Sequence, residues 1–216
     1  MRWITRKHQY NFPRKTLVMG IVNVTPDSFS DGGLFFNPNK AVDHALKLVE
    51  EGADILDIGG ESTRPGAASI SVKEELNRVI PVINQLAKKT ELIISIDTHK
   101  PIVAEEAIGA GASIINDIGA NNNHAEMWKV ISNTKAGYIC MHMKGAPQTM
   151  QKNPFYKDVC KDVCNFFKER LNSLLDYGIS IDHIAIDPGI GFGKSLDHNI
   201  ELMSHLNKFN IFQRPV

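Results

Sequence analysis

Apolar and polar positions alternate along the chain on two length scales. Short apolar runs rich in β-branched residues occupy residues 16–24, 55–59, 92–96, 113–116, 138–141 and 183–186. Longer segments with helical periodicity occupy residues 40–51, 72–88, 101–110, 125–133, 156–177 and 198–208, one after each run. Six strands each followed by a helix are the pattern of a parallel sheet covered by helices. The punctuation agrees, since Pro38, Pro101 and Pro154 fall at or just before helix starts and Gly52, Gly111 and Gly178 follow helix ends. Gly52-Ala53-Asp54 and Gly111-Ala112-Ser113 both leave a helix through glycine and lead into a strand, so the same αβ turn is expected twice.

This order predicts the α/β class and a TIM-type (β/α)8 barrel of which six β/α units are present, with a hairpin in the first dozen residues plugging its bottom. A length of 216 residues fits one domain spanning 1–216, and no polar linker or low-complexity stretch divides it. Lys plus Arg and Asp plus Glu number 24 each, which removes any long-range pull toward nucleic acid or an anionic membrane. Three cysteines, Cys140, Cys160 and Cys164, are too few for a disulfide scaffold and fit a reducing, cytoplasmic setting. Cys160 and Cys164 are four apart on a helix, but no further metal ligand has matching spacing. Residues 1–13 carry charges where a signal peptide needs apolar residues, and no run reaches membrane-spanning length.

In a parallel barrel the loops after the strands gather on one face and build the site, so unusual polar residues are expected there. Residues 23–33, polar and glycine-rich at the end, read either as a functional loop or as a solvent loop held by local turn bonds. In the 61–66 segment, Glu-Ser-Thr-Arg-Pro-Gly, hydroxyls and a guanidinium suit a phosphate; the alternative is a surface turn in which Arg64 pairs with Glu61. Three further strands end in Asp97, Asn116-Asp117 and Asp187. A carboxylate near a barrel axis is costly unless a ligand with adjacent N–H donors satisfies it, as the edge of a 2-amino-4-oxo pyrimidine would. Capping of the following helices is the competing account. Residues 187–194 look like a phosphate-cradling glycine loop, although Gly189, Gly191 and Gly193 match neither the dinucleotide nor the P-loop spacing. Met141 and Met143 suit a flat heterocycle or the core, and His142 is a general base or a structural histidine.

Together the segments beginning at Met19, Glu61, Ser95, Ile114, Met141 and Asp187 resemble dihydropteroate synthase, from about Leu17 to the last residue. The resemblance implies that Asn23 ligates Mg²⁺ beside the diphosphate of dihydropterin-methyl diphosphate and that Thr63 contacts this substrate. It implies that Asp97, Asn116 and Asp187 hold the pterin, with Met141 and Phe192 among the substrate-binding residues. Arg64 and the loop residues Asp27 and Ser28 would close over the diphosphate and the 4-aminobenzoate pocket. The implied reaction joins the pterin methylene to the amine of 4-aminobenzoate, giving dihydropteroate for folate synthesis, in a homodimer and with no protein nucleophile. The family continues into a Ser-Arg-Lys segment and an Arg-x-His segment that are absent here, and Lys194 and Arg214 do not fill those positions. A transferase, a pterin-binding module and an inactive fragment are therefore the three readings, with low stability and reduced turnover expected of the 216 residues alone.

Overall fold

The computed structural model describes residues 1–25, 37–64, 66–120 and 125–216. Six strands pair in chain order, all parallel: β3 (Met19–Asn23), β4 (Ile55–Gly59), β5 (Ile93–Asp97), β6 (Ile114–Asp117), β7 (Gly137–Met141) and β8 (Ile184–Asp187). The helices α1 (Pro38–Glu50), α2 (Val72–Lys89), α3 (Pro101–Ala110), α4 (Ala125–Thr134), α5 (Val159–Asp176) and α6 (Leu196–Ser204) follow them one by one. Leu56, Ile58, Ile94, Ile96, Ile115, Tyr138, Cys140, Ile184 and Ile186 join the cluster that packs on the helices. Their neighbours Ile55, Ile93, Ile114, Ile139 and Ala185 form a second cluster on the other face. Strands apolar on both faces need cover on both, and a curled sheet with helices outside supplies it. The result is a partial α/β barrel.

The expected hairpin is present as β1 (Arg2–Ile4) antiparallel to β2 (Gln9–Asn11). Its Trp3 sits in the inner cluster at the strands' N-terminal ends, and Trp3 Nε1 donates to the His183 carbonyl at 3.1 Å. The bottom of the barrel is thereby plugged. Among the described residues no ladder joins β3 to β8. A cavity of about 490 Å³, lined by Trp3, Met19, Ile55, Ile139 and Ala185 among others, opens there.

Five elements differ from expectation at their ends for identifiable reasons. The run at 16–24 narrows to β3, because the Val18 amide donates to the Asp54 carboxylate at 2.8 Å before the regular ladder begins. The strands expected at 92–96, 113–116 and 183–186 each reach one residue further, so that Asp97, Asp117 and Asp187 pair with Gly59, Cys140 and Met141 within the sheet. The segment at 198–208 divides: Ser195 and His198 form a reciprocal cap that starts α6 at Leu196, and Leu206–Phe212 tightens to a 3₁₀ turn. The repeated αβ turn occurs three times rather than twice. Ala53, Ala112 and Ile179 each donate to the carbonyl five residues back, Leu48, Ala107 and Leu174, at 2.9 to 3.0 Å.

Candidate active site

Register places the site residues before any side chain is considered. Asn23 pairs with Gly59, Gly59 with Asp97, and Asp97 with Asn116, so the ends of β3 to β6 stand at one level. A methyl group on Gly59 would lie 3.3 Å from Asp97 Oδ2 and 3.7 Å from Asn23 Oδ1. The bare glycine lets both neighbours reach over the end of β4. Two residues deeper on β4, Asp57 Oδ2 accepts from Asn116 Nδ2 at 2.9 Å. Farther round, Asp187 pairs with Met141, and its Oδ1 accepts from the Gly189 amide at 2.7 Å.

Asp57 Oδ1, Asp97 Oδ1 and Asn116 Oδ1 are buried and have no hydrogen-bond partner among the described residues. Three neighbouring acceptors left empty are costly, and they form a matched receptor for N–H donors. Burial raises the Asp57 carboxyl above its ordinary value and the Asp187 charge adds to this, opposed by the neighbouring Ser95 hydroxyl and the Asn116 amide. Burial also raises Asp97 well above the carboxylate range, with Asp57, Glu75, Asp117 and Glu61 adding repulsion. Asp97 keeps part of its surface open at the mouth, which moderates that push. Asp187 is raised by burial, and the Gly189 N–H and Lys194 oppose the rise.

Capping does not account for these groups. The helix N-caps at α1, α2, α3, α5 and α6 are Asn37, Ser71, Lys100, Asp158 and Ser195. Asp117, next to Asn116, faces outward instead, accepting from Tyr138 Oη at 2.7 Å and from the Gly119 amide at 2.8 Å. Beside Asp187, Met141 packs with Ile118, Met143, Met150 and Phe192, an apolar wall against which a flat ring can lie.

Thr63 stands in a cleft shared with Asp97, Thr98, His99 and Ile118, while Arg64 is exposed on the same loop. The surface-turn alternative fails here, because Glu61 pairs with Lys100 instead of Arg64. Lys100 Nζ also donates to Glu75 Oε2 at 2.6 Å and to the Ile70 carbonyl at 2.8 Å, so one ammonium ties together the two ends of the 61–70 loop. Burial pulls the Lys100 pKa down, but Glu61 and Glu75 outweigh it and leave it raised. Asn23 is exposed at the end of β3. Asp27 and Ser28 lie outside the described residues.

Two readings that the sequence leaves open are decided here. The 187–194 segment is no phosphate cradle: the Gly189 and Phe192 carbonyls point at Lys194 Nζ from 2.8 and 2.9 Å. Carbonyl oxygens repel a phosphate. His142 is structural, since burial and the Lys194 charge pull its pKa down to about 3. The His142 imidazole is therefore expected to stay neutral across pH 5–8, its carbon chemical shifts flat by NMR; a titration step near 6.5 would restore it as a base. Unfolding then takes up a proton at His142 between pH 6.5 and about 3, so stability falls as pH drops through that window.

Asp57, Lys100 and Glu75 went unnoticed in the sequence. Only Asp57 left a signal there, as a carboxylate amid the apolar run Ile55–Gly59.

The family model for pterin binding enzymes matches residues 19–216. The dihydropteroate synthase of Escherichia coli is 47% identical over 199 residues, covering 92% of this chain and 70% of that one. The chain belongs to the dihydropteroate synthase family. The Xanthomonas albilineans dihydropteroate synthase solved with 4-aminobenzoic acid superimposes with a TM-score of 0.90 at 45% identity, covering 100% of this chain and 76% of that chain. The same enzyme in complex with 7,8-dihydropteroate gives a TM-score of 0.86 at 40% identity, with the same coverage. Among the described residues no helix is long and apolar enough to cross a membrane, and no group of three or more His, Cys, Asp or Glu is placed to hold a metal.

Proposed function

We propose that the strand-end face binds a dihydropterin-methyl diphosphate and transfers its (dihydropterin-6-yl)methyl group to the amine of 4-aminobenzoate, giving 7,8-dihydropteroate and diphosphate. The observation that carries this is the set of three unpartnered buried acceptors on Asp57, Asp97 and Asn116. A pterin's amino and ring N–H groups supply the donors these atoms lack, and the Met141–Phe192 wall supports the ring. Asp187 completes the edge.

The carboxylates do more than bind. As the bond from the methylene to the diphosphate oxygen breaks, the electron pair leaves with the diphosphate and the methylene becomes electron-poor. Nearby negative charge favours that change, and the amine of 4-aminobenzoate then bonds to the methylene and gives up a proton. Thr63 and Arg64 lie on the side where the diphosphate departs. Magnesium fits here as a companion of the diphosphate, with the Asn23 amide oxygen, exposed at the end of β3 beside the bare Gly59, as its protein ligand. Bound there, it supplies positive charge to the leaving oxygens. This reading includes a cytoplasmic enzyme acting as a homodimer, and the exposed apolar Leu196, Ile200 and Met203 on one side of α6 support the second point.

Calorimetry should show the pterin diphosphate binding more tightly with Mg²⁺ than without, and adding 4-aminobenzoate should then release diphosphate and form dihydropteroate. Absence of pterin binding would overturn the reading. Binding without product would reduce it to pterin recognition.

A further inference from the structure

We infer that Lys194 is a positioning residue, whose ammonium locks the loop after β7 to the loop after β8 and so sets where Asp187 and Phe192 stand. The inference rests on the pterin-binding reading above. Lys194 is 2% exposed. Its Nζ lies 2.8 Å from the Gly189 carbonyl, 2.9 Å from that of Phe192, 3.2 Å from that of His142 and 3.1 Å from His142 Nδ1. An ammonium has three hydrogens, and four acceptors already surround this one, so it has none to offer a substrate. It acts on the site through what it holds.

What it holds comes from two strands. His142 follows β7 and donates its amide to the Asp187 carbonyl at 2.9 Å, while Gly189 and Phe192 follow β8. The loops meet so closely that a Cβ on Gly189 would fall 2.0 Å from the His142 oxygen and one on Gly193 would fall 2.2 Å from the Lys144 oxygen. Both glycines also take positive φ, 68° and 65°. Two carbonyl-lined loops pressed together repel unless a donor sits between them, and the Lys194 Nζ is that donor.

The consequence reaches the pterin through Gly189. Its carbonyl is fixed by Lys194 and its N–H orients Asp187 Oδ1, so moving the carbonyl also moves the donor that aims the carboxylate. Phe192 is held likewise: its carbonyl meets Lys194, and its amide donates to the Gly189 carbonyl at 3.1 Å. Its ring completes the wall with Met141 and Met143. Burial pulls the Lys194 pKa down to about 7 and the Asp187 charge opposes this, so the lysine and the pterin carboxylate are electrostatically coupled as well.

The test compares Lys194→Met and Lys194→Arg with the unmodified chain, each checked for folding by circular dichroism, using 6-hydroxymethyl-7,8-dihydropterin and magnesium diphosphate as separate probes in calorimetry. Lys194→Met should weaken pterin binding about tenfold, the size of one misplaced hydrogen bond, and leave diphosphate binding unchanged, because Asn23, Thr63 and Arg64 are on other loops. Lys194→Arg keeps the charge, but its planar fork cannot converge on four acceptors, so it should weaken pterin binding by a smaller factor. If Lys194→Met does not fold, Lys194→Arg decides alone. Wild-type pterin affinity in a folded variant overturns the inference, as does an equal loss for both probes. An unmodified chain that binds no pterin overturns the functional reading instead.

Discussion

Lys100→Met is expected to lower folding stability by about 3–5 kcal/mol, read as a fall in the urea midpoint at pH 7 with an unchanged slope. The Glu75 side chain is 1% exposed and that of Glu61 12%, and their cationic partner is this one ammonium. Removing it leaves two carboxylates facing each other in a poorly solvated place. Glu75 Oε1 already lacks a hydrogen-bond partner, so no reserve of donors can take over. Against a total of about 5–15 kcal/mol for an ordinary domain, such a loss threatens the fold itself. A triple variant carrying Lys100→Met, Glu61→Gln and Glu75→Gln should recover most of it, because neutral amides remove the repulsion. A loss below about 1 kcal/mol would mean that the pair is solvated and contributes like an ordinary surface bridge. Since Lys100 joins Glu61 to the Ile70 carbonyl, the same change should loosen the loop that carries Thr63 and Arg64.

The six strands were legible in the sequence because each is a compact apolar run between helical segments, and the structure contains all six in the order read. Their ends were less legible. Asp97, Asp117 and Asp187 look like the first loop residues, yet their backbones still pair across the sheet, and a ladder bond is indifferent to side-chain polarity. Asp97, Asn116 and Asp187 could be singled out because parallel topology brings strand ends together whatever the details of packing. Lys100, Glu61 and Glu75 could not, since they lie 14 to 39 positions apart and meet only when the β4 and β5 loops fold over the start of α2. The role of Lys194 was hidden for another reason. Glycines at alternate positions show that the backbone turns tightly, but whether N–H or C=O groups point inward is decided by the neighbouring loop. His142 shows the same limit, because its burial and the position of Lys194, both set by the fold, make it structural.

Asp97→Asn is expected to have opposite effects on stability and on binding. Burial and four neighbouring carboxylates raise the folded Asp97 pKa above 3.8. At intermediate pH the folded chain thus retains a proton that the unfolded chain has released, so the contribution of this group is complete below pH 3.8 and is lost as pH rises through the folded value. At neutral pH the chain therefore carries the cost of holding this carboxyl buried among like charges with an unpartnered oxygen. A neutral amide removes the repulsion and should stabilise the chain at pH 7 by about 1–2 kcal/mol, the low end for a buried unsatisfied polar atom because Asp97 is partly open. Below pH 3.8 that gain should vanish, because the aspartate is then neutral too. Pterin binding should move the other way, weakening about a hundredfold, since the amide turns N–H groups toward a ligand edge that is itself made of donors. Urea titrations at the two pH values and calorimetry with a dihydropterin separate the two effects. A variant less stable at pH 7 that still binds pterin normally would show Asp97 to be a scaffold residue. The expected pair of results would show instead that the strain at the mouth of β5 is what the pterin relieves on binding.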